Sequence, residues 1–403
     1  MSAVLHPTDG DPPDPYADFA AGRDDDPPVT VIAEGAEWDE NAIPPRPWIV
    51  PGYLMRGAVT VLSGPGSAGK SMLAVLWCCA LASGEKIGHF APRHPATVLT
   101  YNVEDDHDEQ RRRFSATLRQ LRQPISALAD RVTRLWPAGI GTLFARDTMT
   151  GTLRPTDAMA AIEEHIAERR PDVLILDPLV ELHDAEENDN TALRAVMAKL
   201  RGIAAEHNCA VLVLHHGRKG IAGSPGDPDS LRGASSIVGA ARVVLTVLTM
   251  DETEAERLGI AKTERRSYFR LDGAKSNYAP IDEAEWFERV EHQLANGDRV
   301  AAAWPWQPPS PFRDLTTADV NAALDRIAAG PAPGILYAPT QRGNATHWAG
   351  NVLMEDYAMP EGQARAVIGA WLKSGLLVVQ SAYDAAQRKE RKGVTVDNSR
   401  RPT

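Results

Sequence analysis

Short apolar runs alternate along the chain with longer stretches whose apolar residues recur every three or four positions. The first pattern predicts buried strands and the second predicts amphipathic helices. Strands are predicted at residues 58–62, 96–101, 172–177, 210–214, 242–248, 268–271 and 285–290. Helices are predicted at residues 72–81, 109–122, 157–168 and 190–206, and Gly84 is placed to end the first of them. A sharp turn is expected at residues 273–278, between the last two strands.

A glycine-rich loop joins the first strand to the first helix. Its sequence, GPGSAGKS at residues 64–71, fits the pattern G-x-x-x-x-G-K-S. The glycines let backbone N–H groups turn inward around phosphates, the lysine reaches the β and γ oxygens, and the serine hydroxyl holds Mg²⁺. An ordinary glycine turn would not explain the lysine. The sequence therefore predicts a site for ATP and Mg²⁺ formed by Gly64, Pro65, Gly66, Ser67, Ala68, Gly69, Lys70, Ser71 and Met72.

A group of acidic residues follows the second strand. Its first member is Glu104, in the sequence NVEDD at residues 102–106. A carboxylate at the tip of a strand beside the phosphate loop is where a base that orients the attacking water would lie. Glu104 is the candidate for that role. The alternative is a solvated acidic turn, since five acids fall within EDDHDE at residues 104–109.

Four apolar residues ending in an acid form the third strand, VLILD at residues 173–177. This Walker B pattern predicts a buried parallel strand whose terminal Asp177 joins the Mg²⁺ shell through water, together with Ser71. A phosphate loop paired with such a strand is what a nucleotide hydrolase needs. The two motifs together predict an ATPase.

Two histidines, His215 and His216, end the fourth strand. Adjacent side chains on a strand point to opposite faces, so a shared metal is not expected. A polar sensor of the γ-phosphate is the better interpretation of His216. Residues 217–232 then form a long glycine-, proline- and aspartate-rich loop, and loops of that length are usually functional.

A proline-rich segment at residues 293–311 is predicted to be a linker. Beyond it, helices are predicted at residues 317–329, 349–357 and 360–373, followed by a hairpin of residues 376–383 and 393–396. Three helices and a hairpin are typical of a winged helix, a small α+β domain placed here at residues 312–397. Its wing would carry Arg388, Lys389, Arg391 and Lys392. Winged helices bind proteins as well as DNA, so either partner is open.

Composition and charge limit what this chain can be. It has 403 residues, of which 43% are apolar, and a net charge of −11. Residues 1–45 hold eleven acids and one base, so the rest of the chain is near neutral and the acidity belongs to a proline-rich tail predicted to be disordered. The absence of a long apolar run or an export leader predicts a soluble cytoplasmic protein with no membrane partner.

Seven motifs in order resemble those of the RepA-type hexameric replicative helicases of plasmids and phages, which belong to the RecA/DnaB-like ATPases. They are the phosphate loop, Y-x-x-E-D, L-I-L-D, L-H-H-x-x-K-G, R-G-A-S-S, A-R-V-V and K-S-N-Y, within residues 46–292. The resemblance implies an α/β fold in which helices flank a twisted, mostly parallel sheet and nucleotide binds at the strand ends between subunits. It also implies a homo-oligomeric ring, expected to be a hexamer.

The same resemblance implies roles for several cations and the histidine. His216 matches the γ-phosphate sensor, Arg242 an arginine finger reaching the neighbouring subunit's nucleotide, and Lys275 a second cation supplied in trans. Arg242 is expected to be a buried arginine on the far side of the sheet, with a salt bridge to a core acid as the alternative. For Lys275 the alternative is a plain turn lysine. The loop at 217–232 resembles a central-channel DNA loop, although it lacks aromatic residues and contains two aspartates; its candidate DNA-binding residues are Arg218, Lys219 and Arg232.

Three functions are compatible with these residues. The first is an ATP-driven motor on single-stranded DNA, a replicative helicase with an added winged-helix module. The second is an ATP-switched RecA-like assembly or regulatory protein that loads partners and unwinds nothing. A small-molecule kinase is the third, but it leaves Glu104, the histidine pair and Arg242 without a role.

Overall fold

The computed structural model describes residues 39–137, 141–149, 151–185, 189–217, 235–276, 284–342, 345–384 and 389–402. Its contacts divide the chain into two units, residues 1–46 and residues 47–403. In the first unit, the described residues form one short 3₁₀ turn, Glu40–Ala42, capped by the Asp39 side chain, which accepts a hydrogen bond from the Asn41 N–H at 2.9 Å. The remaining elements belong to the second unit.

The second unit alternates strands and helices before ending in a small helical module. Its described strands are β1 (Trp48–Val50), β2 (Leu54–Met55), β3 (Ala58–Gly64), β4 (Val98–Asn102), β5 (Val132–Leu135), β6 (Phe144–Arg146), β7 (Leu153–Pro155), β8 (Val173–Asp177), β9 (Ala210–His216), β10 (Val243–Thr249), β11 (Tyr268–Ser276), β12 (Glu285–Gln293), β13 (Arg299–Pro305), β14 (Leu377–Asp384) and β15 (Lys389–Val396). Its described helices are α1 (Lys70–Ser83), α2 (His107–Gln120), α3 (Asp157–Arg169), α4 (Asn190–Glu206), α5 (Ser235–Ala240), α6 (Glu252–Leu258), α7 (Thr317–Ala329), α8 (Gly350–Tyr357) and α9 (Glu361–Lys373).

A nine-stranded sheet dominates the described part of this unit, in the order β13-β12-β11-β10-β3-β9-β8-β4-β5. The strands from β10 to β5 are parallel, while β11, β12 and β13 extend the sheet in antiparallel fashion. The phosphate-loop strand β3 is central, and β9 separates it from the Walker B strand β8. This order, with helices on both faces, is the RecA-like arrangement, and it confirms the predicted fold class.

Both faces of the sheet are covered, which explains why its strands are apolar without alternation. Leu62 packs on one face with helix α1, whereas its neighbours Val59 and Val61 pack on the other with helices α3 and α4. Successive strand residues point to opposite faces, so a strand buried on both faces needs apolar residues throughout. Helix α1 is itself almost wholly buried, and Trp77 on it stacks on Phe90 with ring centroids 4.8 Å apart.

Strand β11 corrects the turn that was predicted at residues 273–278. Residues Gly273 and Lys275 pair with β10, opposite Leu245 and Val244, and the register shifts between them. The glycine therefore marks a bulge inside a strand, a position where glycine is also common, and the pairing with β10 outweighs the local turn preference. A second short correction concerns the arm at residues 44–51, which was expected to be irregular but contains β1.

Strand β13 corrects the predicted linker at residues 293–311. It forms the outer strand of the sheet and pairs with β12 from Phe287↔Pro305 to Gln293↔Arg299. Proline is tolerated there because an edge strand has N–H groups that need no partner. The hairpin turn contains Asn296-Gly297, and Gly297 has φ 93°, a left-handed conformation that this dipeptide favours. Composition alone therefore hid a strand that the turn residues indicated.

The C-terminal module has the predicted three helices, α7 to α9, followed by the hairpin β14–β15, and is winged-helix-like. Lys389, Arg391 and Lys392 belong to β15, while Arg388 lies outside the described residues. The module packs directly on helix α6. A Cβ at Gly362 would lie 2.8 Å from the backbone N of Arg257, so helices α9 and α6 are in close contact. None of the helices in the described ranges is long and apolar enough to cross a membrane.

Candidate active site

The predicted site residues of the first half of the chain lie at one edge of the sheet, where the parallel strands β3, β4, β8 and β9 end. The strand register aligns Gly64 with His216 and Asn102 with Asp177. Carboxyl ends of parallel strands are the usual ligand-binding edge of an open α/β sheet. The phosphate loop, the acidic turn after β4, the Walker B strand and the histidine pair therefore meet there.

The phosphate loop needs its glycines for space as well as for conformation. A Cβ at Gly64 would overlap the carbonyl oxygen of Val247 on the neighbouring strand. Gly69 has φ 116° and precedes helix α1, and a Cβ there would lie 3.2 Å from the ring of Phe269. Ser67 also has a positive φ of 61°. The loop is thus wrapped tightly between β10, β11 and the start of helix α1, whose N-terminus favours an anion.

Lys70 is buried at the centre of this loop, with 5% of its surface exposed. Its Nζ donates hydrogen bonds of 2.9 Å to the carbonyl oxygens of Gly64 and Pro65. Burial lowers the pKa of Lys70, and the charges of Asp177 and Glu104 oppose that effect. The ammonium group is therefore held inside the loop, next to the two carboxylates predicted to act with it.

Asp177 has the features of a carboxylate that awaits a further ligand. Its Oδ2 accepts a hydrogen bond from Asn102 Nδ2 at 3.2 Å, whereas its buried Oδ1 has no hydrogen-bond partner among the described residues. Burial raises the pKa of Asp177 to about 7, against the opposing effect of the Ser71 hydroxyl. An unpartnered carboxylate oxygen beside a serine hydroxyl suits the hard Mg²⁺ ion, which is held by few protein oxygens and by phosphates.

A dedicated all-protein metal cage is a different arrangement. The described residues contain no group of three or more His, Cys, Asp or Glu that could hold a metal ion. The donor set at Ser71 and Asp177 fits Mg²⁺ bound together with nucleotide phosphates.

Glu104 and His216 contact each other across the edge. Glu104 Oε1 lies 3.4 Å from His216 Nε2, although the residues come from different strands and are far apart in sequence. Glu104 stands in the turn after β4, which is held because Asn102 Oδ1 accepts a hydrogen bond from the Asp105 N–H at 2.7 Å. Burial and the Lys70 charge lower the pKa of His216, while Glu104 raises it. The imidazole is thus a neutral donor to the carboxylate at pH 7.

A cavity of about 700 Å³ opens beside these groups. Its walls come from the phosphate loop and helix α1, helix α2 and the β12–β13 hairpin. Lining residues that the sequence had not indicated are Arg112, Arg113, Arg289, Asp298, Val300 and Ala301. The volume falls within the range of small-molecule and cofactor sites, roughly 300–1,000 Å³. A nucleotide would therefore have room next to the loop.

Comparison with known protein families agrees with this geometry. Residues 26–222 match the model of a family described as an AAA domain. The protein contains a RecA-like P-loop ATPase domain. The chain is also similar to two solved structures. One is a bacteriophage-type ATPase domain solved on its own, with 12% identity over 61% of this chain and 85% of that one and a TM-score of 0.41. The other is the RadB recombinase, with 15% identity over 58% and 88% and a TM-score of 0.39.

Arg242 and Lys275 do not join the ATPase site of their own subunit. Arg242 lies at the amino end of β10, where its N–H donates to the carbonyl of Val59, roughly 16 Å along β3 from Gly64. The expectation of a buried arginine on the far side of the sheet was wrong. Its side chain is exposed, and β10 adjoins the phosphate-loop strand because β11 to β13 extend the sheet beyond it.

Lys275 lies next to Arg242 and is not a turn residue. Its Nζ donates hydrogen bonds of 2.9 Å to the carbonyls of Val238 and Ala241 at the end of helix α5. Burial lowers the pKa of Lys275, and the Arg242 charge lowers it further. The two cations thus stand together at the amino edge of the ATPase sheet. Arg218, Lys219 and Arg232, the predicted DNA-binding residues, lie outside the described residues.

Sequence reasoning missed the part of the ATPase site that comes from the antiparallel extension. Arg289 is two positions from the buried Phe287 on β12, so a charged residue falls on the buried face of that strand. That mismatch of charge and parity was the available signal. For Val300 and Ala301 the signal was the Asn296-Gly297 turn that returns the chain to the sheet.

Proposed function

We propose that this ATPase is a motor that acts on single-stranded DNA as a ring of identical subunits. The contact between Glu104 and His216 carries the proposal. It joins the residue placed to orient the attacking water to the last residue of β9, and the predicted DNA loop follows directly at residue 217. A change at the phosphate end would thus be felt at the start of that loop.

Each residue at the edge has a part in the proposed hydrolysis. Lys70 and the loop N–H groups bind the phosphates, while Ser71 and Asp177 hold the Mg²⁺ that supplies positive charge to the transferred phosphoryl group. Glu104 accepts a hydrogen bond from the attacking water and aligns it. His216 is neutral, so its N–H can donate to Glu104 or to a phosphate oxygen, and a change of partner would move the chain that follows it.

The DNA part of the proposal concerns residues 217–232 and the C-terminal module. Cations of the loop would meet the phosphate backbone without reading sequence, as in other channels for single strands. The basic strand β15, with Arg391 and Lys392, is a second candidate surface for nucleic acid or protein. The family resemblance to replicative helicases supports DNA as the partner, and a hexamer as the ring.

The expected test is ATP hydrolysis measured against increasing oligothymidylate, with Lys70→Ala as the blank. The rate should rise to a plateau, and the DNA concentration at half-effect should increase steeply with salt because phosphate contacts release counterions. A saturable rise would justify an unwinding assay on forked duplex. A flat response with intact hydrolysis would contradict the DNA motor and favour an ATP-switched assembly protein, the interpretation that fits the acidic net charge.

The ring requires a cation from the neighbouring subunit, and Arg242 is proposed to supply it, supported by Lys275. Both stand at the sheet edge opposite to their own phosphate loop, where they can face another protomer. Arg242→Ala mixed in increasing proportion with wild type should therefore depress turnover more than dilution does, because each mixed interface loses one finger.

The matched control for that mixing series is Arg201→Ala, an exposed arginine on helix α4. It should show simple dilution or no effect. Arg242→Ala mixtures that follow the dilution line would remove the trans role.

A further inference from the structure

Arg289 on β12 contacts the phosphate loop from its outer side. Its Nη2 donates hydrogen bonds of 2.9 Å to the carbonyl oxygens of both Ser67 and Ala68, and its Nη1 donates to the carbonyl of Arg266. The guanidinium also lies over the ring of Phe269, with Cζ 5.0 Å from the ring centroid. Within the described ranges it has no carboxylate partner. A half-buried cation satisfied only by carbonyls is costly to keep, which points to a role beyond packing.

The geometry of the peptide bond relates these contacts to the other side of the loop. In a trans peptide the C=O of one residue and the N–H of the next point in opposite directions. Because the carbonyls of Ser67 and Ala68 face Arg289, the N–H groups of Ala68 and Gly69 face away from it, into the loop. The Ala68 N–H already points there, with its nitrogen 3.3 Å from the carbonyl oxygen of Pro65, which also accepts a hydrogen bond from Lys70.

The charge of Arg289 acts on the same two peptides. A cation bound to a carbonyl polarises the peptide and makes its N–H a stronger donor. Phe269 supports the arrangement, since its ring lies under Arg289 and against Gly69. Strands β11 and β12 therefore form a backing that fixes both the direction and the strength of the donors in the loop.

We propose that Arg289 is a positioning residue for nucleoside triphosphate binding in its own subunit. It holds the outward carbonyls of Ser67 and Ala68 so that the N–H groups of Ala68 and Gly69 face the phosphates. The inference rests on the proposed nucleotide site, but it requires neither DNA nor a ring. It assigns a binding role to the antiparallel extension of the sheet, outside the phosphate loop itself.

The test compares steady-state ATP hydrolysis by the full chain carrying Arg289→Ala, Arg289→Lys or Arg266→Ala, together with thermal unfolding. Loop N–H groups bind phosphate in the ground state and the transition state alike, so Arg289→Ala should raise KM by about tenfold and change kcat by less than about threefold. Arg289→Lys should recover only part of KM, because an ammonium group cannot bridge two carbonyls and stack on a ring. Arg266→Ala removes a neighbouring charge but keeps the carbonyl that Arg289 binds, and its KM should match wild type.

Several outcomes would overturn the proposal. One is a wild-type KM in Arg289→Ala, including the case in which kcat and Tm fall together while KM is unchanged, as expected of a purely structural residue. An equal rise of KM in Arg266→Ala would show a general charge effect. If Arg289→Ala does not fold, Arg289→Lys decides, and a wild-type KM in that variant counts against the role. Failure of wild type to hydrolyse ATP in a Lys70-dependent way would instead contradict the proposed function itself.

Discussion

Replacing Lys70 by alanine is expected to abolish ATP hydrolysis and to weaken ATP binding by at least about a hundredfold. The ammonium group lies inside the phosphate loop and has no substitute there, since the neighbouring side chains Asp177 and Glu104 are acidic. Charge-assisted hydrogen bonds contribute about 1.5–3 kcal/mol each, so losing two of them to phosphate oxygens accounts for the loss. Binding of a fluorescent ATP analogue and release of phosphate are the measurements.

A matched control for this variant is Lys262→Ala. Lys262 is a surface lysine, 77% exposed, whose Nζ lies 3.6 Å from a Glu252 carboxylate oxygen. It should bind and hydrolyse ATP as wild type does. Hydrolysis that persists in Lys70→Ala would show that the phosphate loop is not the site of turnover.

The second large effect is expected for Glu104→Gln, which should bind ATP normally and lower kcat by about a thousandfold. A positioned general base contributes roughly 10²–10⁴-fold to a rate, and glutamine keeps the shape but cannot take a proton. The amide oxygen can still accept a hydrogen bond from His216, so the local geometry should survive. Single-turnover hydrolysis, measured beside equilibrium ATP binding, separates the chemical step from affinity.

The control for Glu104→Gln is Asp108→Asn, in the same acidic run. The Asp108 carboxylate is 67% exposed and lies 3.6 Å from Arg111, so it behaves as an ordinary solvated charge on helix α2. Its kcat should stay close to wild type. If both variants retain full turnover, the acidic turn is only a solvated turn and another group must align the water.

The parallel half of the fold could be predicted because each of its signals is local. Apolar runs such as residues 173–177 are buried on both faces, and the sequence GPGSAGKS combines its turn, cation and hydroxyl within eight residues. Helix α4 was predicted at its observed bounds, Asn190–Glu206, because its apolar stripe is regular and polar residues flank it.

The remainder depends on pairing between distant strands, which local patterns do not contain. Gly273 reads as a turn on its own and becomes a bulge only because β10 pairs beside it. Arg242 was placed wrongly because the position of β10 depends on the three strands that extend the sheet past it. The contact between Glu104 and His216 likewise requires the strand order, since β4 and β9 are separated by β8.

The edge strand β13 has a practical consequence for anyone who trims this chain. The motor motifs stop at residue 292, so a fragment designed from them would end before Asp298, Val300 and Ala301, which line the cavity beside the phosphate loop. It would also leave β12, with Arg289, as a bare edge whose unpaired N–H and C=O groups invite strand-to-strand aggregation. A working minimal fragment should therefore extend at least through Trp306, whose N–H donates to the Trp286 carbonyl and closes the β12–β13 pairing. Expression boundaries are set here by hydrogen bonding across the sheet and not by where the recognisable motifs end.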